Sequence, residues 1–412
     1  MSDIHPFAGL RARADLAGQV ASPPYDVMST EEAREMARDN PLSFLHVSRA
    51  EIDLAPGVDL HSAPVYQKAA ENLQGLCTGG VLLREKSPCF YVYRLTMNGR
   101  AQHGIVLGAS VDEYLSGKIK KHEVTLPTKE DDRTRHIEAL QAQAGPVFLT
   151  YRERAEISGW VAALCRGRRP EADFVAEDGV GHSLWVCSAK NELAELRRMF
   201  ASVEALYIAD GHHRAAAASR VRESRRARGA AGPSDQFLAV AFPHSEMHIL
   251  PVYRLVRDLN GQDSASFLSS IRERFTVLET GSADPARADE FGMRLDGQWH
   301  RLRALPGSYP ADDPLRSLGV AILQDNLLRP ILGIDDPRNN PRLDFVGGIR
   351  GTAELERRCR EDMRVAFSVY PVRVEQLMDI ADRGMILPPK STWFEPKLRS
   401  GLVVRELEGR NV

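Results

Sequence analysis

The run Asp210-Gly211-His212-His213-Arg214 puts an acid, a glycine, two imidazoles and a guanidinium into one short stretch, between an apolar segment and an alanine-rich one. Gly211 lets the backbone turn sharply and approach a ligand, and a helix starting just after it would present unpaired amides and a positive dipole end to an anion. Arg214 offers a fork for phosphate oxygens, and His212 and His213 offer further donors. The pattern reads as a phosphate cradle. A carboxylate beside a polyphosphate repels it unless a cation intervenes or the acid orients a base, so Mg²⁺ held by Asp210, directly or through water, is expected. Two other readings use the same residues. Asp210 to Arg214 could simply cap a helix and form salt bridges. Alternatively, His212, His213 and a third histidine could hold zinc, although adjacent histidines suit one ion poorly and neither HExxH nor a cysteine cluster is present.

Lysine usage points to the same chemistry. Only nine of the 54 basic residues are lysine, and six of the nine fall in two short segments: Lys118, Lys120, Lys121 and Lys129, then Lys390 and Lys397. A compact ammonium serves phosphate wherever a point charge is wanted. Solvated loops would produce the same clustering by chance.

The elements that must position these residues alternate between helix and strand, which predicts an α/β (α+β) chain. Ser29 with Glu32 forms a capping-box signature opening a helix over 30–39, and a second helical stretch runs from Pro64 to Leu76. Residues 89–96 and 101–111 are strand-like and flank Asn98-Gly99, a hairpin signal. The charged stretch 116–135 shows no apolar period; a helix near 136–142 and a strand over 146–151 follow. Residues 205–209 and 236–242, around a helix reaching about Arg228, read as a βαβ unit with parallel strands. Further on, helices are expected near 267–273, 316–328, 353–360 and 374–381, with a strand at 365–369. Residues 145–200 and 255–310 read as linkers or insertions, and three regions are expected: 1–145, 146–255 and 256–412.

Composition narrows the function classes. A net charge of −2 shows no bulk attraction to nucleic acid or an anionic membrane. Five scattered cysteines without a CxxC pair argue against a disulfide framework or a structural zinc. The first residues lack a basic and apolar leader pattern, and no apolar run approaches the roughly 20 residues of a membrane span. A cytoplasmic protein acting on a nucleotide and a small molecule is the expectation.

Three segments carry a resemblance to known proteins. ADGHHR at 209–214 resembles the strand-to-helix turn of the ParB and sulfiredoxin superfamily, and its free serine kinase branch most closely. Lys121-His122-Glu123 resembles the Lys-Pro-His-Glu motif of those kinases, and LPPKST at 387–392 resembles their Ser-Pro-Lys-Thr-Thr segment. The motifs occur in the same order. Sulfiredoxin chemistry needs a cysteine where His212 stands. The whole chain also looks like a full-length bacterial family carrying SPPYDV, KHExTxxxKExDR, GPVFLTY, DGHHR and PPKSTWFxPKL, a match that brings no established activity.

The resemblance implies a ParB/sulfiredoxin-like nucleotide-binding core with N-terminal and C-terminal α/β additions, and a kinase that phosphorylates a small hydroxyl compound, free L-serine first, from ATP or ADP. It carries Glu123 over as the general base, with His122 orienting it or touching phosphate. Asp210, His213 and Arg214 would handle phosphates and metal. Lys390, Ser391 and Thr392 fall at the substrate end, and Lys397 is assigned there from the lysine clustering. Lys121 lies in the matching motif, while Lys129, Arg133 and His136 join the nucleotide set on helical spacing alone. Tyr25 and Asp26 of SPPYDV could line the pocket, with a rigid structural turn as the stronger reading. The long segments before Glu123 and between Glu123 and Asp210 depart from the kinase pattern and leave the substrate pocket open to rebuilding. The rival function is a ParB-like nucleotide-binding or nucleotide-hydrolysing regulatory protein.

Overall fold

Local signals act where they are strongest. In the computed structural model, which describes residues 2–230, 232–279, 283–338 and 340–407, the Ser29 hydroxyl accepts from the Glu32 amide and the Glu32 carboxylate accepts from the Ser29 amide. This capping box opens helix α1, Thr30–Ala37. Helix α2 spans Ala63–Thr78, with Pro64 in its first turn. Asn98 and Gly99 both take positive φ, 52° and 76°, and join strands that pair from Met97↔Arg100 onward, as the two-residue hairpin turn requires.

The chain folds as a mixed α/β protein with two units, Met1–Met247 plus Pro396–Val412, and His248–Glu395. The first is built on a sheet of nine strands among the described residues: β1 Ile4–His5, β2 Phe90–Met97, β3 Arg100–Ser110, β4 Ile119–Lys120, β5 Val147–Tyr151, β6 Ala172–Val175, β7 Gly181–Cys187, β8 Leu206–Asp210 and β9 Gln236–Pro243. Their order is β4-β8-β5-β9-β3-β2-β7-β6, with β1 on β3. Both faces bury apolar residues; on one, alternate residues such as Val92, Ile105, Leu107, Leu149 and Ala239 are buried with Trp185 and Phe200. Helices α3 Pro127–Leu140, α4 Ala155–Gly167 and α5 His212–Ala227 complete the parts that matter for the site. Strand Val403–Glu406 pairs with Leu10–Ala12 and Ala142–Gln143, which ties residues 396–407 into this unit.

Three expectations are corrected here. Strands β8 and β9 are not a parallel βαβ pair: β5 lies between them, parallel to β9 and antiparallel to β8. The 145–200 stretch is no linker, since it supplies β5, α4, β6 and β7 and pairs β7 with β2. Helix α3 begins at Pro127, inside the stretch with no apolar period, because its polar residues are engaged: Arg220 of α5 pairs with Asp131 and with Glu130, and Tyr66 of α2 donates to Asp132.

Among the described residues, the second unit holds a six-stranded sheet ordered Phe275–Glu279, Gln298–Ala304, Glu290–Leu295, Val365–Val369, Val252–Val256 and Leu343–Gly347. Three of these strands fall in the stretch 255–310 that read as a linker. Tyr253, Leu255, Val346, Leu355, Met363 and Ala366 form one of its buried clusters. No helix of the described residues is long and apolar enough to cross a membrane.

Candidate functional site

Strand β8 ends in a bulge. Ile208 pairs with Leu149 and Asp210 with Phe148, which leaves Ala209 as the extra residue just before the turn. Such a bulge re-aims the side chain that follows it, and here that side chain is Asp210. Gly211 then sits at φ 94°, where a side chain would be strained, and an added Cβ would lie 2.9 Å from Arg214 Nε. Both constraints demand glycine. Helix α5 follows at once, and its Ala215 to Ala218 run is buried.

The Asp210 carboxylate is 28% exposed and lies 3.0 Å from Lys397 Nζ and 3.6 Å from the Arg214 guanidinium. Burial alone raises its pKa, but Lys397 first and Arg214 second outweigh that and hold it well below the usual carboxylate range. With a lysine and an arginine already at one carboxylate, the donor set does not fit Asp210 as a direct Mg²⁺ ligand. Among the described residues, no group of three or more His, Cys, Asp or Glu side chains is placed to hold a metal ion.

Arg214 also differs from a free phosphate fork. Its guanidinium is buried, donates to the Pro146 carbonyl and lies 3.9 Å from Asp26. It bolts the turn to the start of β5. Its Nε has no hydrogen-bond partner.

The two histidines clip the Lys121–Leu126 loop onto the helix end. His212 Nε2 accepts the His122 amide at 3.4 Å, and His213 Nε2 accepts the Leu126 amide at 3.1 Å. These Nε2 atoms therefore act as acceptors, not as donors to phosphate. A neutral ring that accepts at Nε2 carries its proton on Nδ1, and His212 Nδ1 faces the Glu123 carboxylate at 3.5 Å. Glu123 is 54% exposed. His122 packs edge-on against His212 at 4.4 Å between ring centroids. Burial lowers the pKa of His122 to about 4 and drives that of His212 well below its ordinary value, so both rings are neutral at pH 7.

Beside this clip lies a cavity of about 420 Å³ whose wall includes His213, Lys129, Arg133 and His136. Residues 128, 129, 132, 133 and 136 line it from one face of α3. The opposite wall comes from residues 25–69 and includes Tyr25, Asp26, Arg49, Glu51 and Tyr66. Arg133 stacks on the Tyr25 ring at 3.9 Å, and Asp132 binds Arg133, Tyr66 and His61 together. His136 donates from Nε2 to the Val47 carbonyl at 3.0 Å. A smaller chamber sharing Tyr25, Ser48, Arg133 and His136 reaches Arg214. The volume suits a small ligand or nucleotide.

Of the residues singled out in the sequence, Glu123, His122, Asp210 to Arg214 and Lys397 meet at the turn, while Lys129, Arg133 and His136 meet in the cavity beside it. Lys121 turns elsewhere and lies 3.8 Å over the Tyr114 ring. Lys390, Ser391 and Thr392 belong to the second unit, where Lys390 has φ 55° and the Ser391 hydroxyl donates to the Pro388 carbonyl. The cavity wall also holds Tyr25 and Asp26, which read in the sequence chiefly as a rigid turn, and Glu51, His61, Tyr66 and Asp132, which no motif singles out; of these only Asp132 sits on the polar stripe of α3, where helical spacing marks it.

The profile of the family described as "Protein of unknown function (DUF1015)" matches residues 4–321. The chain belongs to the DUF1015 family. No curated protein matches it. Solved structures similar to this DUF1015 chain include SbnI with a C-terminal truncation from Staphylococcus aureus, at 12% identity and a TM-score of 0.37, covering 74% of this chain and 90% of that one. A conserved hypothetical protein from Pyrococcus furiosus is similar at 13% identity and a TM-score of 0.34, over 73% and 95% of the two chains. Free serine kinase in complex with AMP is similar at 13% identity and a TM-score of 0.34, over 71% and 86%. Likeness at this level carries no argument about activity.

Proposed function

We propose that this DUF1015 protein is a nucleotide-dependent phosphotransferase that moves a phosphoryl group from ATP or ADP to the hydroxyl of a small metabolite, with free L-serine as the first acceptor to test. The observation that carries the reading is the Glu123–His212 pair. A half-exposed carboxylate lies 3.5 Å from a neutral imidazole at the N-terminal end of a 16-residue helix, beside a cavity large enough for a nucleotide. The order of the three motifs, which resembles that of the free serine kinases, supports it.

In this reading the donor's phosphates lie against the start of α5 and the cations Lys129 and Arg133. The acceptor hydroxyl oxygen bonds to the terminal phosphorus, the bond from phosphorus to the bridging oxygen breaks, and the hydroxyl proton passes to Glu123. His212 is a positioning residue that aims the base. Asp210, paired with Lys397, and Arg214, bonded to Pro146, hold the turn in shape. Mg²⁺ accompanies nucleotides generally, and no step here depends on a resident ion.

The test incubates the pure protein with Mg²⁺, ATP or ADP, and a panel of hydroxyl metabolites that includes L-serine, and identifies products by mass spectrometry. Acceptor-dependent phosphorylation establishes the activity. Nucleotide binding without transfer to any acceptor overturns it in favour of a regulatory nucleotide-binding protein.

A further inference from the structure

The face of the large sheet that carries Trp185 follows a strict period of two: Phe90 and Val92 on β2, Ile105 and Leu107 on β3, Leu149 and Tyr151 on β5, Ala239 and Ala241 on β9. Continued by one more step, the pattern reaches Arg94, His103 and Pro243. Arg94 pairs with His103 across β2 and β3, and Pro243 pairs with Tyr151 across β9 and β5. An arginine and a histidine thus occupy positions where the pattern calls for apolar side chains, and the core does not close over them. A cavity of about 300 Å³ opens there, walled on its other sides by Ser158, Cys165 and Arg166 of α4 and by Glu246.

The groups around it are incompletely matched. Glu246 accepts the His103 amide at 2.5 Å and lies 3.2 Å from His103 Nδ1. Arg94 donates to the Ser183 hydroxyl at 2.8 Å and lies over the Trp185 ring, but its Nε has no partner and no carboxylate of the described residues pairs with it. A half-buried guanidinium that no carboxylate contacts directly, linked to Asp173 only through the Ser183 hydroxyl, with a second arginine on the α4 wall, favours an anion. The cavity lies at the carboxyl ends of the parallel strands β5 and β9. The Asp210 turn leaves from the opposite end of β5, beside Phe148.

We propose that this cavity is a second ligand site, separate from the Glu123 site, for a small organic acid whose carboxylate meets Arg94 and Arg166 and whose hydroxyl or amino group meets Glu246. Cys165 on its wall is a built-in reporter, and the half-buried Cys77 and Cys359 are internal controls. Alkylation of the full-length protein by iodoacetamide at pH 8.5, followed peptide by peptide by mass spectrometry, is run alone and with L-lactate, L-malate, L-alanine or inorganic phosphate.

At least one organic acid is expected to slow Cys165 alkylation five-fold or more while Cys77 and Cys359 react unchanged. Arg94→Met and the surface variant Arg166→Gln should each remove most of that protection, and Glu123→Gln should leave it intact. Protection by phosphate alone, or by none of the four, overturns the proposal. So does protection that survives both arginine variants. Because Glu123→Gln is silent in this assay, its outcome is independent of the phosphotransferase reading.

Discussion

Replacing Lys397 by methionine keeps the length of the side chain and removes the charge that faces Asp210. At 3.0 Å the pair attracts by about 5 kcal/mol at an effective dielectric of roughly 20. The side chains are 16% and 28% exposed, so solvent screens part of that, and Arg214 remains 3.6 Å from the carboxylate. A loss of about 2 to 4 kcal/mol follows for breaking a largely buried pair. For a unit of this size it corresponds to a fall of roughly 5 to 15 °C in the first unit's Tm. The pH dependence has a definite sign. The folded pKa of Asp210 lies well below its ordinary value, so the pair's stabilisation is fully present above about pH 4 to 5 and is lost as pH falls from there toward the folded value. In Lys397→Met the folded pKa moves back up, and acid unfolding should begin at a higher pH. Circular dichroism melts from pH 3 to 8 measure both effects. An unchanged Tm at pH 7, together with an unchanged acid limb, would refute the reasoning that Lys397 holds the turn.

Three further outcomes follow from the same geometry. Lys129→Ala and Arg133→Ala should each weaken nucleotide binding roughly 10- to 100-fold in calorimetry, the effect of losing one charge-assisted contact, with the Lys129 variant keeping the parent Tm. Gly211→Ala should destabilise the unit by at least about 1 kcal/mol in urea titrations, because it forces a side chain into positive φ against the Arg214 guanidinium. His136 is buried with its pKa lowered to about 4, mainly by burial, so the unfolded chain binds its proton first as pH drops. Stability should therefore fall between about pH 6.5 and 4, and His136→Asn should flatten that slope by up to about 1.4 kcal/mol per pH unit in denaturant titrations.

What could be read from the chain was what neighbours in sequence decide. The Ser29–Glu32 box, the Asn98-Gly99 turn and the Asp210–Arg214 turn each follow from a few adjacent residues, and each forms as expected. Helix α3 was obscured because its polar stripe faces a cavity and its charges pair with α2 and α5, so no apolar face marks it. The placing of β5 between β8 and β9 depends on pairings far apart in sequence that no local pattern carries. Within the site, Arg214 and the two histidines have the right chemistry for phosphate, but their contacts to Pro146, His122 and Leu126 are tertiary and turn them toward holding the loop. Lysine scarcity did point to Lys397, whose partner Asp210 is 187 residues away. The same clustering grouped it with Lys390, which belongs to the other unit.

Glu123→Gln tests the central claim most directly, because it keeps the size of the side chain and its neighbour His212 while removing the base. Phosphoryl transfer to the acceptor identified for the parent protein is followed by mass spectrometry, alongside nucleotide affinity by calorimetry. The phosphotransferase account predicts unchanged folding, nucleotide affinity within about two-fold of the parent, and a transfer rate lowered roughly 10²- to 10⁴-fold. A Glu123→Gln protein that transfers at nearly the parental rate would contradict it.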